Sequence, residues 1–253
     1  MTGALTIEQL LPEIANLHGD NANITYLSQC RPDARVIRSS LTEAPAFVTE
    51  HVDLVYLGPL TEHGQLKAVE WLRPHRDRIA ALIEAGTTFL FTHNALEVLG
   101  TRIRNDDMNY DVAGVGIFEL EATLHMFERY NGKVMGTLAD VGAAHPIVGG
   151  KSQFSMVEAS ASLPGFITAD RGIGRNTSTP IEGVRRHNFI GTSLLGPILI
   201  TNPHLTRMLL AQLDPDTEPE LAHEQFALAA YDARLTDFRN DRHWHPAEKV
   251  RRH

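Results

Sequence analysis

The chain has 253 residues, with 23 Lys+Arg against 31 Asp+Glu and hence a formal net charge of −8. Its 43% hydrophobic and 21% charged content is that of an ordinary globular protein, which excludes a disordered or coiled-coil chain. The acidic balance, without a dense Lys/Arg stripe, excludes nucleic acid and anionic membrane as main partners. A single cysteine, Cys30, excludes a disulfide framework and a cysteine-based zinc finger. The N-terminal stretch MTGALTIEQLLPEI carries two acids and no basic start, unlike a signal peptide. Its apolar runs fall well short of the ~20 residues of a membrane helix, so a soluble, cytoplasmic protein is expected.

Strand-like and helix-like segments alternate through the first half, which predicts parallel β units with crossover helices. The apolar run 52–57 ends in Gly58-Pro59 and reads as a buried strand stopping at a loop. Over 66–85, apolar residues recur at helical spacing up to Gly86, with Pro74 predicting a kink or two helices. Residues 87–92 read as a strand, His93-Asn94 as a tight turn, and 95–99 as the start of a helix. Further on, 114–120 and 133–138 read as strands, and the glycine-containing stretch 164–180 as a long loop. Residues 188–197 read as a strand followed by a turn, and the chain becomes helical after Pro203 and again over 221–238. With no repeat and no clear linker, one domain over 1–240 is expected, followed by a polar, frayed tail over 241–253.

Several chemical signals lead nowhere definite. The 13 histidines include His243-x-His245 but no carboxylate–histidine motif, so they read as surface or hydrogen-bonded residues rather than metal ligands. Gly172, Gly174 and Gly183 match neither a Walker A loop nor a dinucleotide fingerprint. Cys30 has Arg31 beside it but no strand–turn–helix frame, and reads as a part-buried thiol.

Four stretches, taken together, resemble one family. They are Asn16-Leu17-His18-Gly19-Asp20-Asn21-Ala22-Asn23, GPLTEHGQ over 58–65, GTTFLFTHNALEVLG over 86–100, and EGVRRHNFIGTSLLGPILITNP over 182–203. They are similar to N-L-Y-G-D-x-G-N, G-G-G-Q-D-x-x-Q, a segment ending C-G-G-Y-Q-L-L-G, and E-G-x-x-x-x-N-x-x-G-T-Y-L-H-G-P-L-L-x-x-N-P. These belong to the glutamine amidotransferase subunits of lipid II isoglutaminyl synthase, in the cobyric-acid-synthase-like branch of class I. The resemblance implies a flavodoxin-like, three-layer α/β class I glutamine amidotransferase fold. It also implies a cytoplasmic location, no cofactor, and a Mur-ligase-like (MurT-type) partner acting on a peptidoglycan precursor. In active members an elbow cysteine attacks the glutamine amide, a histidine activates it, and ammonia passes to the ligase.

The chain departs from that pattern wherever chemistry is required. Counting back from Gly100, His93 stands at the position of the nucleophilic cysteine, and an imidazole does not replace a sulfur nucleophile that must also leave. Leu195 stands at the position of the family histidine. The glycine-rich oxyanion turn becomes Gly58-Pro59-Leu60, and Pro59 has no N–H to aim at a developing charge. The arginine that holds the substrate carboxylate in the family aligns with Lys133, a point charge in place of a bidentate fork. Gly150-Lys151-Ser152-Gln153 replaces F-E-N-H, so Gln153, with Asn94 and Lys133, is a candidate substrate contact. Cys30 precedes the second strand and cannot stand in for the lost nucleophile. Three readings follow. The first is a glutaminase-inactive pseudoenzyme that supports a ligase. The second is a repurposed pocket in which His93, Asn94, Glu62 and His63 converge on a small ligand. The third is an active amidotransferase in another register.

Overall fold

The two apolar runs at 52–57 and 87–92 lie side by side at the centre of a sheet. A computed structural model describes residues 4–241 and 248–251, the last four by backbone alone. β1 (Thr6–Leu10), β2 (Arg35–Ser39), β3 (Leu54–Leu57), β4 (Thr88–Thr92) and β14 (Phe189–Thr192) run parallel, with β13 (Val184–Arg186) antiparallel at one edge. The strand order is β13-β14-β4-β3-β1-β2.

Residues alternate in destination along these strands, as the period of two requires. Val55, Leu57, Phe89, Phe91 and Phe189 face one layer, where they meet Val69, Leu72, Ile79 and Ile83 of α2 (Glu62–Leu72) and α3 (Arg76–Glu84). Leu54, Tyr56, Leu90 and Ile190 face the other. There they pack on α1 (Ala22–Cys30) and, after the turn α5 (Ile198–Thr201), on α6 (Pro203–Leu213). Burying both faces explains the near-continuous apolar character of the strands. Each such side chain contributes roughly 1.5–3 kcal/mol. The arrangement is the expected flavodoxin-like three-layer α/β fold.

Pro74 divides the predicted helix 66–85 as anticipated: α2 and α3 are separated by a single 3₁₀ turn, Arg73–His75. Thr61 caps α2, its hydroxyl accepting from the Gly64 N–H at 3.1 Å. Gly86, at φ +87°, ends the pair.

The second half adds two smaller sheets. One has the order β10-β7-β5-β6, formed by β5 (Arg102–Asn105), β6 (Tyr110–Ala113), β7 (Leu120–Leu124) and β10 (Ser155–Ala159). The other is built on the long β8 (Glu128–Thr137), which pairs with β9 (Ile147–Gln153), β11 (Ile167–Arg171) and β15 (Glu248–Arg251). β12 (Ile181–Glu182) flanks β11.

Three sequence expectations are corrected here. Residues 114–119 are not a strand: the N–H groups of Gly114, Val115, Gly116 and Ile117 donate to carbonyls of 98–101 instead. Gly114 permits that approach, since a Cβ there would lie 2.1 Å from the Gly100 carbonyl oxygen. The stretch 164–180 is not all loop, because it contains β11, whose pairing with β8 is non-local and whose five residues offer one large apolar side chain. Of the tail, Glu248–Arg251 pair antiparallel with β8 rather than fray. His243-Trp244-His245 lie outside the described residues. The last long helix, α7 (Glu224–Arg239), sends Tyr231, Leu235 and Phe238 onto Met135 and Val148 of the β8–β9 ribbon. Among the described residues, no helix is long and apolar enough to cross a membrane.

Candidate functional site

Strands β3, β4 and β14 end together, and their following residues form the site, as expected at the carboxyl edge of an open α/β sheet. β4 passes through His93 into α4 (Ala95–Val98), a tight strand–turn–helix elbow. His93 adopts φ +55°, a left-handed conformation that costs a non-glycine residue roughly 1–3 kcal/mol and persists only where the surroundings impose it. They do so here through its N–H, which donates to the Thr192 carbonyl at 2.6 Å.

The His93 ring is held in one tautomer. Its Nε2 lies 3.0 Å from the Ser152 carbonyl oxygen, which can only accept, so Nε2 carries the proton. Nδ1 is left as a buried lone pair with no hydrogen-bond partner. Burial lowers the His93 pKa against the raising effect of the Ser152 contact, so the ring is neutral at pH 7. His18, also at positive φ, lies with its ring centroid 5.6 Å away.

Asn94 is committed elsewhere. Its Oδ1 accepts from the Leu60 N–H at 2.9 Å and its Nδ2 donates to the Leu60 carbonyl at 2.9 Å. That pairing closes the Gly58-Pro59-Leu60 turn on itself. Pro59 has no N–H, and the Leu60 N–H is taken by a side chain of the chain's own elbow. Gly58 is required by crowding, since a Cβ there would sit 2.8 Å from the Ala15 carbonyl oxygen. An oxyanion hole needs free donors in place before charge develops. The two turn residues that would supply them offer none.

Glu97 is the strongest titratable feature of the pocket. It is buried beneath the elbow, where Oε2 accepts from Gln65 Nε2 at 2.8 Å and Oε1 accepts from the Ser155 hydroxyl. Burial pushes its carboxyl up to about 7, although both hydrogen bonds oppose the shift. In the motif C-G-G-Y-Q-L-L-G this position is a glutamine, where this chain has a carboxyl.

His93, Asn94, Glu62 and Glu97 line one cavity of about 70 Å³, together with His18, Leu60, Arg129 and Phe154 among others. At ~10–15 Å³ per water, it holds roughly five. The Arg129 guanidinium stacks 4.5 Å from the Phe154 ring centroid, and no described carboxylate pairs with it. Arg129 is thus the pocket's cation, a place the alignment gives to Lys133. The Lys133 ammonium instead bonds Asp237 at 2.5 Å and lies over Phe238 of α7.

The other expected site residues also lie outside the cavity wall. Leu195 donates its N–H to the Gly150 carbonyl at 2.7 Å and forms a single bridge to β9. Gln153 is buried and donates to the Ser155 carbonyl. His63 is exposed on α2. Sequence reasoning missed Glu97, Arg129 and Phe154. The glutamine-to-glutamate change was the one signal available for Glu97.

Beside the cavity lies a second buried polar group. Glu182, wholly buried, accepts from the Thr192 hydroxyl at 2.9 Å and from the Ser193 N–H and hydroxyl at 2.8 Å each. The buried Lys151 ammonium lies 3.6 Å from it and donates to the Gly174 carbonyl. Among the described residues, no cluster of three or more metal-ligating side chains occurs.

The chain matches no family model. It is 26% identical over 209 residues to the lipid II isoglutaminyl synthase (glutamine-hydrolyzing) subunit GatD of Staphylococcus aureus, across 81% of this chain and 83% of that one. Among solved structures it is similar to PurLQS from Thermotoga maritima, with a TM-score of 0.58 at 11% identity over 83% of this chain and all of the other. It is similar also to a glutamine amidotransferase, with a TM-score of 0.52 at 12% identity, over 81% of this chain and 98% of the other. A glutamine amidotransferase from Thermotoga maritima aligns with a TM-score of 0.51 at 9% identity, over 90% and 92%. With its parallel sheet, two helical layers and strand–turn–helix elbow, the chain has the flavodoxin-like fold of class I glutamine amidotransferases.

Proposed function

We propose that this chain is an amidotransferase-type subunit that no longer hydrolyses glutamine and supports a Mur-ligase-like (MurT-type) partner. In this reading one domain over residues 1–240 acts in the cytoplasm, in amidation of a lipid II-type peptidoglycan precursor. The likeness to a lipid II isoglutaminyl synthase subunit supports the pathway. The observation that carries the loss of activity is the elbow itself, where an imidazole fixed as its Nε2–H tautomer stands beside a turn whose Leu60 N–H is held by Asn94. Glutamine hydrolysis through a thioester needs a sulfur nucleophile and free oxyanion donors.

The test is glutamate release from glutamine by purified protein, alone and with a co-purified ligase subunit. No release above a heat-treated control is expected. Turnover abolished by His93→Ala overturns the reading in favour of an active amidotransferase, and failure of any ligase-like chain to co-purify removes the partner. A second reading, a repurposed small-ligand pocket, is favoured by one observation. Arg129, without a described carboxylate partner, faces the same cavity as the unsatisfied Nδ1 of His93.

A further inference from the structure

A separate pocket opens at the carboxyl ends of β1 and β2, under the N-terminal half of α1, and shares no lining residue with the elbow cavity. It has a volume of about 220 Å³. The sheet register builds its floor. Gln9 of β1 pairs with Arg38 of β2 on one side and Tyr56 of β3 on the other, and Tyr56 packs in the same layer as α1. The Gln9 and Arg38 side chains are therefore directed to the α1 side. Helix α1 contributes Asn21, Thr25 and Ser28, spaced along one face, with Ile24 between them.

The Thr25 and Ser28 hydroxyls donate back to the carbonyls of Asn21 and Ile24, whereas the two amides and the guanidinium of the pocket are less well served. Gln9 is 4% exposed, yet its amide makes no hydrogen bond to any described residue. That amide lines the pocket, where solvent or an occupant meets it. Asn21 Oδ1 is buried and unpartnered, which costs on the order of 1–3 kcal/mol and calls for an occupant. Arg38 is exposed at the rim and pairs with no described carboxylate, whereas Arg31 and Arg35, just before it in the chain, are bound to Asp33, Asp214 and Glu50. No carboxylate lines the pocket, although the chain as a whole has a net charge of −8. The first turn of α1 adds the partial positive charge of its N-terminus.

The geometry points to a binding site for a small oxyanion-bearing ligand, a carboxylate or a phosphate, received by the Arg38 fork, with the Gln9 and Asn21 amides and the Thr25 hydroxyl meeting its remaining polar groups. Arg38 supplies the charge and a bidentate donor pair suited to either anion. Gln9 and Asn21 favour a ligand that also carries a hydroxyl, amide or ammonium group.

Isothermal titration of the full chain with inorganic phosphate and, separately, with malonate tests this, using sodium chloride at matched ionic strength as the blank. Saturable binding of at least one anion is expected; which one binds identifies the source chemistry. Arg38→Ala should weaken binding about tenfold or more, because a charge-assisted contact is lost. Arg38 is exposed, so this variant should melt as the native protein does. Gln9→Leu should weaken it as well, and Arg129→Ala, in the elbow cavity, should leave it unchanged. Binding of neither anion above the chloride blank overturns the proposal. So does binding that survives Arg38→Ala, or that Arg129→Ala removes.

Discussion

Two buried polar groups sit at the ends of adjacent strands, and they are finished differently. Around Glu182, at the end of β14, Thr192, Ser193 and Lys151 all address the carboxylate. Around His93, at the end of β4, Nδ1 of the imidazole and Oε1 of Gln65 have no partner, and Glu97 holds its proton up to about 7. A satisfied network specifies the fold, whereas a half-satisfied one retains the outline of a site. The elbow frame is present with its left-handed residue, and the Leu60 N–H of the facing turn is held by Asn94.

The sharpest way to break this comparison is to remove one partner from the finished network. Lys151→Met removes the buried ammonium 3.6 Å from Glu182, and breaking such a buried pair should cost about 3–5 kcal/mol in denaturant unfolding. The double variant Lys151→Met/Glu182→Gln should recover much of that loss. A Lys151→Met protein of native stability would show that the Glu182 network is not structural.

The turn is tested by rebuilding it. His93→Cys with Leu195→His, Pro59→Gly and Leu60→Gly puts a cysteine, a histidine and a glycine turn at the positions of the motifs, yet Asn94 still holds the N–H at position 60. That quadruple variant should therefore stay near background in a glutaminase assay. Adding Asn94→Gly, the residue of the C-G-G motif, should raise hydrolysis about 10²–10³-fold, the usual effect of one oxyanion donor. Equal rates with and without Asn94→Gly would show that the clamp is irrelevant.

A smaller effect belongs to Glu97. Its folded-state pKa, about 7, lies above the unfolded value, so its stability contribution is complete below about pH 4.5 and is lost as pH rises through 7. That loss amounts to about 3 kcal/mol at most. Glu97→Gln removes it, so the variant should gain on the native protein between pH 5 and pH 8 in urea midpoint measurements. A difference that does not change with pH would mean that Glu97 does not titrate in this range.

What the sequence discloses depends on how local the cause is. The β3–loop and β4–elbow–α4 segments are legible because strand run, stop signal and helix start lie within a dozen or so consecutive residues. The division of α2 from α3 follows from Pro74 alone. β11 is hidden because Ile167–Arg171 is made a strand by its partner, with one large apolar residue to advertise it. In the site, His93 and Asn94 both line the cavity, but the commitment of Asn94 to Leu60 spans 34 residues and leaves no trace in composition. The position of the cavity's cation is hidden for a similar reason. Arg129 and Lys133 both lie on β8, and only the packing of α7 on that ribbon decides which of them is drawn away.

The ends of the main sheet carry a consequence of their own. β2, at one border, bears Arg35 and Arg38, one toward each face of the sheet, and β13, at the other, bears Arg185 and Arg186. Border strands offer unpaired backbone groups to any passing chain, and long charged side chains on them discourage such pairing. Resistance to sheet-to-sheet aggregation is thus written into both margins.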